Sequence, residues 1–298
     1  MTRVEERTAL FSIHTLPLEQ PDPIAPTRAA LPPIRALLHH APKPTRSLAI
    51  YVQSGFMGSA LTGRHDHRPL ALALDDVGCS LLVLQSSAAR RTQFMKFDTC
   101  VNDIRSGVNW AKALNFEEIV LIGVSMGSAR VSYWNAVAPD PAVKAMVLIA
   151  TLDSVYLGGV RWTREERERQ DAIMQSCREL IADGLGEQLI IGELESQPFP
   201  MTAEAYLSYF GQLQEMNASS LKYAHAIEVP IIMIHGTEDV VCPPQGAQAV
   251  YDALSAAPHK ELLWVRGGAH QLMMPGSSSV NVVSAKIAEF VAKGLDPR

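Results

Sequence analysis

The chain of 298 residues is 47% hydrophobic and 19% charged, a balance that excludes disordered, collagen-like and coiled-coil chains. Its 26 Lys and Arg against 31 Asp and Glu leave a formal charge of -5, so no global basic field holds a nucleic acid or an anionic membrane, and a small-molecule ligand is expected. Four scattered cysteines, Cys79, Cys100, Cys177 and Cys242, spell neither a zinc knuckle nor a redox dithiol; neither metal nor cofactor is expected.

In chain order, the N-terminal MTRVEERTALF carries charges where a secretion signal needs an apolar run, and no stretch reaches the roughly 18 uninterrupted apolar residues of a spanning helix. The expectation is a cytoplasmic chain, or one whose leader has been removed. Prolines at 17, 21, 23, 26, 32, 33, 42 and 44 reduce residues 1–46 to one or two antiparallel edge strands with irregular connection. From Leu48 onward short apolar runs alternate with amphipathic segments. Residues 47–53, 80–85, 118–124, 145–150, 230–235 and 261–265 are continuously apolar, as strands buried on both faces must be. Between them, 68–77, 100–114, 125–138, 244–256 and 280–293 read as helices with apolar residues three and four apart. The pattern predicts an α/β fold, a mainly parallel sheet with helices on both faces.

The alternation stops after Ala150 and resumes at Pro230, with two helix-rich stretches, RWTREERERQDAIMQSCRELIADG and TAEAYLSYFGQLQEM, in the gap. A structureless loop of that length is improbable in a compact domain, so 151–224 reads as an inserted helical cap, and 1–150 with 225–298 as the core. Tyr206, Leu207 and Phe210 share one helical face there and are candidates for the pocket wall.

Gly123-Val124-Ser125-Met126-Gly127 is a GxSxG between a strand and a helix. A nucleophile elbow needs that context: a strained turn, with glycines relieving the crowding, raises the hydroxyl above the sheet edge. A serine hydroxyl is a poor nucleophile at neutral pH and needs an imidazole to take its proton and a carboxylate to orient the ring. Asp239 follows the next-to-last strand in IIMIHGTEDVVCPP, and His270 follows the last in ELLWVRGGAHQLM. Read against HGxxDxxxP and GxxH, these segments supply His235-Gly236-Thr237-Glu238-Asp239 with Pro243, and Gly267-Gly268-Ala269-His270.

From about Leu48 to its end the chain resembles the serine-type α/β-hydrolase superfamily on these three motifs in order. The resemblance implies an α/β-hydrolase fold with Ser125 as nucleophile, Asp239 as acid and His270 as base. Asp153 is the rival acid, because some members place it after the preceding strand. The implied oxyanion hole uses the backbone N–H of Met126 and of Phe56, within VQSGFMG, where Ser54 stands in place of the usual His. Met57, beside it, is a further pocket candidate. The same glycine-rich run lacks the GK[ST] ending of a phosphate loop. His65 and His67 read as a solvated start of a helix, Arg90 and Arg91 as a solvated pair, Cys242 as an inert thiol without a partner, and His235 as a support of the acid loop.

The expected chemistry is hydrolysis of a carboxylic ester, thioester or lactone through an acyl-serine. Amide and carbon–carbon bond hydrolysis share the triad, as do acyltransferases and cyclases; a ligand-binding receptor that has lost turnover is the non-enzymatic alternative.

Overall fold

The computed structural model describes residues 10–16, 34–52, 66–87, 92–153, 163–194 and 197–294. Its strands are β1 (Ser12–Leu16), β2 (Ile34–His39), β3 (Ser47–Val52), β4 (Ser80–Leu84), β5 (Glu118–Val124), β6 (Val143–Ile149), β7 (Leu189–Leu194), β8 (Gln197–Thr202), β9 (Ile231–Gly236) and β10 (Lys260–Val265). Among the described residues eight of them form one sheet in the order β1-β2-β4-β3-β5-β6-β9-β10, parallel from β4 to β10, with β1 and β2 antiparallel at one edge. The helices are α1 (Arg68–Asp75), α2 (Cys100–Ala113), α3 (Met126–Val137), α4 (Arg164–Ala182), α5 (Ala203–Phe210), α6 (Ser220–Tyr223), α7 (Pro244–Ala253) and α8 (Val280–Gly294). None is long and apolar enough to cross a membrane.

The two faces of the sheet follow from the two-residue period of a strand. Along β3, Leu48, Ile50 and Val52 enter a core shared with Leu121, Met146, Leu148 and Trp134 of α3. Ala49 and Tyr51 enter the opposite core with Ile122, Val147, Leu74 of α1 and Phe290 of α8. Both faces being covered, every side chain of β3, β4 and β9 is buried.

From β3 the chain crosses to β4 on one side and returns to β5 on the other. Strand order therefore reverses between β3 and β5, and in open α/β sheets ligands bind outside the carboxyl ends of the strands at such a switch point. The carboxyl end of β5 leads directly into Ser125.

Between β6 and β9 lie α4, the β7–β8 ribbon, α5 and α6. Thr163 starts α4 with a capping box: its hydroxyl accepts from the Glu166 N–H, and the Glu166 carboxylate accepts from the Thr163 N–H. The helical expectation for 151–224 omitted the ribbon. Pro198 and Pro200 argue against a strand, yet they pair with Glu193 and Ile191 at the parity whose N–H points away from β7, since the Ala203 N–H bonds Gln188 O at the other parity. Asp153 and Ser219 close the segment through an antiparallel bridge.

Candidate active site

Ser125 occupies the turn between β5 and α3 with φ 53° and ψ -119°, in the left-handed region that a side chain rarely adopts. The turn is held closed by its neighbours. A Cβ at Gly123 would lie 2.5 Å from Gly127 O and 2.7 Å from Ser128 Cα, so only glycine lets α3 start this close to β5. The Ser125 N–H donates to Ile149 O at 2.8 Å, continuing the β5–β6 ladder past the strand end. Ser128 donates its hydroxyl to Ser125 O at 2.5 Å and accepts from the Leu152 N–H at 3.0 Å. Ser220 of α6 donates to Leu152 O at 3.0 Å, which ties the insertion to the elbow. Sequence reasoning missed Ser128 and Ser220; a serine three residues after Ser125 was the available signal for the first.

Asp239 hangs in the turn after β9. Its Oδ1 accepts from the N–H groups of Val241 at 2.9 Å and Cys242 at 2.7 Å. His235, fully buried at the end of β9, donates Nε2–H to Cys242 O at 2.9 Å and stands edge-on to Trp264. Burial holds its pKa below the usual imidazole value, so it is neutral and braces the acid loop without adding charge. The loops after β9 and β10 are laced together by Glu238 N–H to Gly268 O at 2.9 Å, Thr237 N–H to Val265 O at 3.0 Å and Gly267 N–H to Thr237 Oγ1 at 2.9 Å. They approach so closely that a Cβ at Gly236 would stand 2.1 Å from Gly268 O.

This lacing brings His270 between the other two residues. Its Nδ1 lies 2.8 Å from Asp239 Oδ2 and its Nε2 lies 2.9 Å from Ser125 Oγ. An ionised carboxylate only accepts, so Nδ1 carries the proton and Nε2 keeps a lone pair toward the serine hydroxyl. Asp153 faces the insertion instead: its Oδ2 accepts from Ser219 Oγ at 2.8 Å and from the Leu221 N–H at 2.7 Å. Met126 is the first residue of α3, where backbone N–H groups lack partners within the helix.

Phe56, Met57, His65, Arg90 and Arg91 lie outside the described residues. His67 is not solvated: it is buried at the start of α1, its ring edge-on to Tyr51 at 4.8 Å. Tyr206 and Leu207 are buried in the core that joins α5 to the sheet, Tyr206 donating its hydroxyl to Gln170, while Phe210 at the end of α5 is half-buried against Tyr206 and Tyr209. Cys242 is not without partners, since its backbone binds both Asp239 and His235. Among the described residues, Asp239, Cys242 and His270 form a group able to hold a metal ion.

At the same edge of the sheet, beyond β4, Asp103 of α2 is buried and accepts from Ser86 Oγ at 3.0 Å and the Ser87 N–H at 2.8 Å. Burial pushes its pKa up to about 6, against these donors and the nearby Arg130 of α3. Asp103 and Arg130 line a small cavity with Val52 and Cys100.

The Hydrolase_4 family model, described as serine aminopeptidase, S33, matches residues 85–275. Est1E from Butyrivibrio proteoclasticus superposes with a TM-score of 0.62 at 17% identity, covering 97% of this chain and 99% of that one. An esterase domain from a Rhodothermus marinus protein gives 0.61 at 16% identity over 95% and 98% of the two chains. A Pyrococcus furiosus esterase gives 0.60 at 15% over 97% and 92%. A 31.7 kDa Escherichia coli protein of the traX-finO intergenic region, itself uncharacterized, is 26% identical over 208 residues, 63% of this chain and 70% of its own length.

Proposed function

This chain belongs to the serine aminopeptidase (S33) family of α/β-hydrolases, and from that premise we propose that it cleaves a carboxylic ester, thioester or lactone of a small to medium molecule through an acyl-serine intermediate. The observation that carries this reading is the two-sided engagement of one imidazole, with Nε2 2.9 Å from Ser125 Oγ and Nδ1 2.8 Å from Asp239 Oδ2. His270 takes the Ser125 proton as Oγ attacks the substrate carbonyl. Asp239 keeps the productive tautomer and stabilises the imidazolium. The alkoxide that develops meets the N–H of Met126 at the start of α3, with the N–H of Phe56 as the second donor implied by the resemblance. His270 then returns the proton to the leaving group, and water repeats the cycle on the acyl-serine.

Residues 151–224 act as a cap over this edge: the inserted segment leaves from the carboxyl end of β6, and the Asp153–Ser219 bridge with the Ser220 bond to Leu152 O hold part of it there before the chain runs on to the start of β9. Of the apolar trio on α5, Phe210 keeps surface for a substrate, whereas Tyr206 and Leu207 support it from within.

The ester reading draws on Est1E, which has also been solved with ferulic acid bound, and on the two other relatives described as esterases. Amide hydrolysis is the second reading, favoured by the family description. Both require Ser125 to react with a fluorophosphonate probe, and Ser125→Ala to abolish the labelling. Labelling that persists in Ser125→Ala rejects both. Comparing p-nitrophenyl esters of graded chain length with aminoacyl p-nitroanilides separates them: ester turnover well above anilide turnover supports the first.

A further inference from the structure

Cys242 stands three residues after Asp239 on the turn that follows β9, and its thiol has no part in the acyl-transfer scheme. One ligand atom each from the Asp239 carboxylate, the Cys242 thiol and the His270 ring lie within 4.8 Å of one another. The arrangement is held by the fold. The Cys242 N–H donates to Asp239 Oδ1 at 2.7 Å, which locks both residues in one turn, and Asp239 Oδ2 is 2.8 Å from His270 Nδ1. Asp239 and Cys242 are buried, while the His270 side chain keeps 17% of its surface exposed, leaving a path from solvent.

Thiolate, imidazole and carboxylate together are the ligand types of zinc. Tetrahedral zinc with bonds of about 2.0–2.3 Å holds its ligand atoms roughly 3.3–3.6 Å apart, so the three side chains reach that geometry by shifts of about 1 Å. Magnesium and calcium take oxygen ligands and do not suit this set.

Building on the serine-hydrolase reading, we propose that Asp239, Cys242 and His270 form an inhibitory site for a thiophilic divalent cation such as zinc, which replaces the proton between Asp239 and His270. On binding, the Cys242 thiol releases its proton to solvent as sulfur bonds the metal. His270 releases the Nδ1 proton as that lone pair turns to the metal, and Nε2 takes one up, so the net change is one proton released per ion. The Nε2–H then donates toward Ser125 Oγ and has no lone pair left to accept the hydroxyl proton. The nucleophile is switched off without any blockage of the substrate pocket.

The test uses the full-length protein and zinc chloride. Zinc should suppress both ester hydrolysis and fluorophosphonate labelling of Ser125, EDTA should restore both, and magnesium should affect neither. Cys242→Ala and Cys242→Ser should each raise the zinc concentration for half-inhibition by about 10-fold or more, whereas Cys177→Ala should leave it unchanged. Binding is read without activity by titrating the Ser125→Ala protein with cobalt(II): a thiolate-to-cobalt charge-transfer band should appear, and should vanish when Cys242→Ser is added. Undiminished zinc sensitivity in both folded Cys242 variants, or a cobalt titration of Ser125→Ala that gives no thiolate band, overturns the site. A band that appears while the parent shows no hydrolase activity keeps the metal site and rejects the catalytic reading on which the inhibition rests.

Discussion

The sheet edge that carries Ser125, Asp239 and His270 and the insertion between β6 and β9 hold their shapes by different means. At the edge, backbone meets backbone: Gly123 against Gly127 and Ser128, Gly236 against Gly268, and main-chain N–H groups bridging the loops after β9 and β10. The insertion has its own backbone ladder in β7–β8, but its elements are joined largely by side chains, among them the Thr163 and Glu166 capping box, the paired bonds of Arg178 to Glu215 at 2.6 and 2.9 Å, and the Tyr206 bond to Gln170. Backbone contact leaves no room for even one added carbon. Side-chain ties can be lost one at a time, each at modest cost. Under the proposed function, the difference would suit a rigid site edge with an adjoining segment whose surface can be retuned for another substrate.

Removing the proposed nucleophilic oxygen should separate chemistry from architecture most sharply. Ser125→Ala deletes one hydroxyl from the edge and should lower kcat/KM by about 10⁴-fold or more while leaving the melting temperature nearly unchanged. Steady-state kinetics and thermal melts check this, and a comparable loss of stability would mean that the hydroxyl belongs to the scaffold.

Gly236→Ala should break the edge itself. The new Cβ meets Gly268 backbone, which cannot rotate away as a side chain could, so a destabilisation of about 2–4 kcal/mol is expected in urea melts, with loss of the His270 alignment and of activity. A variant of parent stability would show that the two loops are looser than their contacts indicate.

Asp103 probes the place where the two regions meet, with Arg130 of α3 and the buried Tyr209 of α5 nearby. Its folded-state pKa of about 6 stands above the ordinary carboxyl value of 3.8 because burial disfavours the charge. The protonated form therefore favours folding: this contribution is complete below about pH 4 and is lost as pH rises through about 6. Asp103→Asn, neutral throughout, should gain about 1–3 kcal/mol relative to the parent between about pH 4 and about pH 7.5. Urea melts at the two pH values decide it, and a pH-independent difference would assign the carboxylate a compensating partner.

The smallest effect belongs to the insertion. Phe210→Ala should shift chain-length preference among p-nitrophenyl esters several-fold while costing about 1 kcal/mol or less, since the ring is only half-buried. Equal losses of stability and of activity on every ester would instead make Phe210 part of the core.

How much of this could be read from the residues alone depended on how local each cause was. The parallel strands were legible as continuous apolar runs, and the edge pair β1–β2 could be anticipated only loosely through its prolines. The β7–β8 ribbon was hidden, because Pro198 and Pro200 weigh against any strand until a partner on one side shows that their missing N–H groups point outward. Cys242 read as inert because its nearness to His270 joins two loops 28 positions apart in the chain.

Ser125, Asp239 and His270 were each visible in a short motif, since an elbow glycine or a loop after a strand is a local demand. Which carboxylate meets the imidazole was a different kind of question. Asp153 and Asp239 both follow a strand of the same sheet, and the HGTED motif favours Asp239 without showing what either carboxylate meets. The choice rests on what each carboxylate finds across the fold: Ser219 and Leu221 for Asp153, His270 for Asp239. Local sequence sets strand, turn and helix through propensity and periodicity, whereas the pairing of side chains far apart in the chain follows from sheet order and from the glycine contacts that bring two loops within reach of each other.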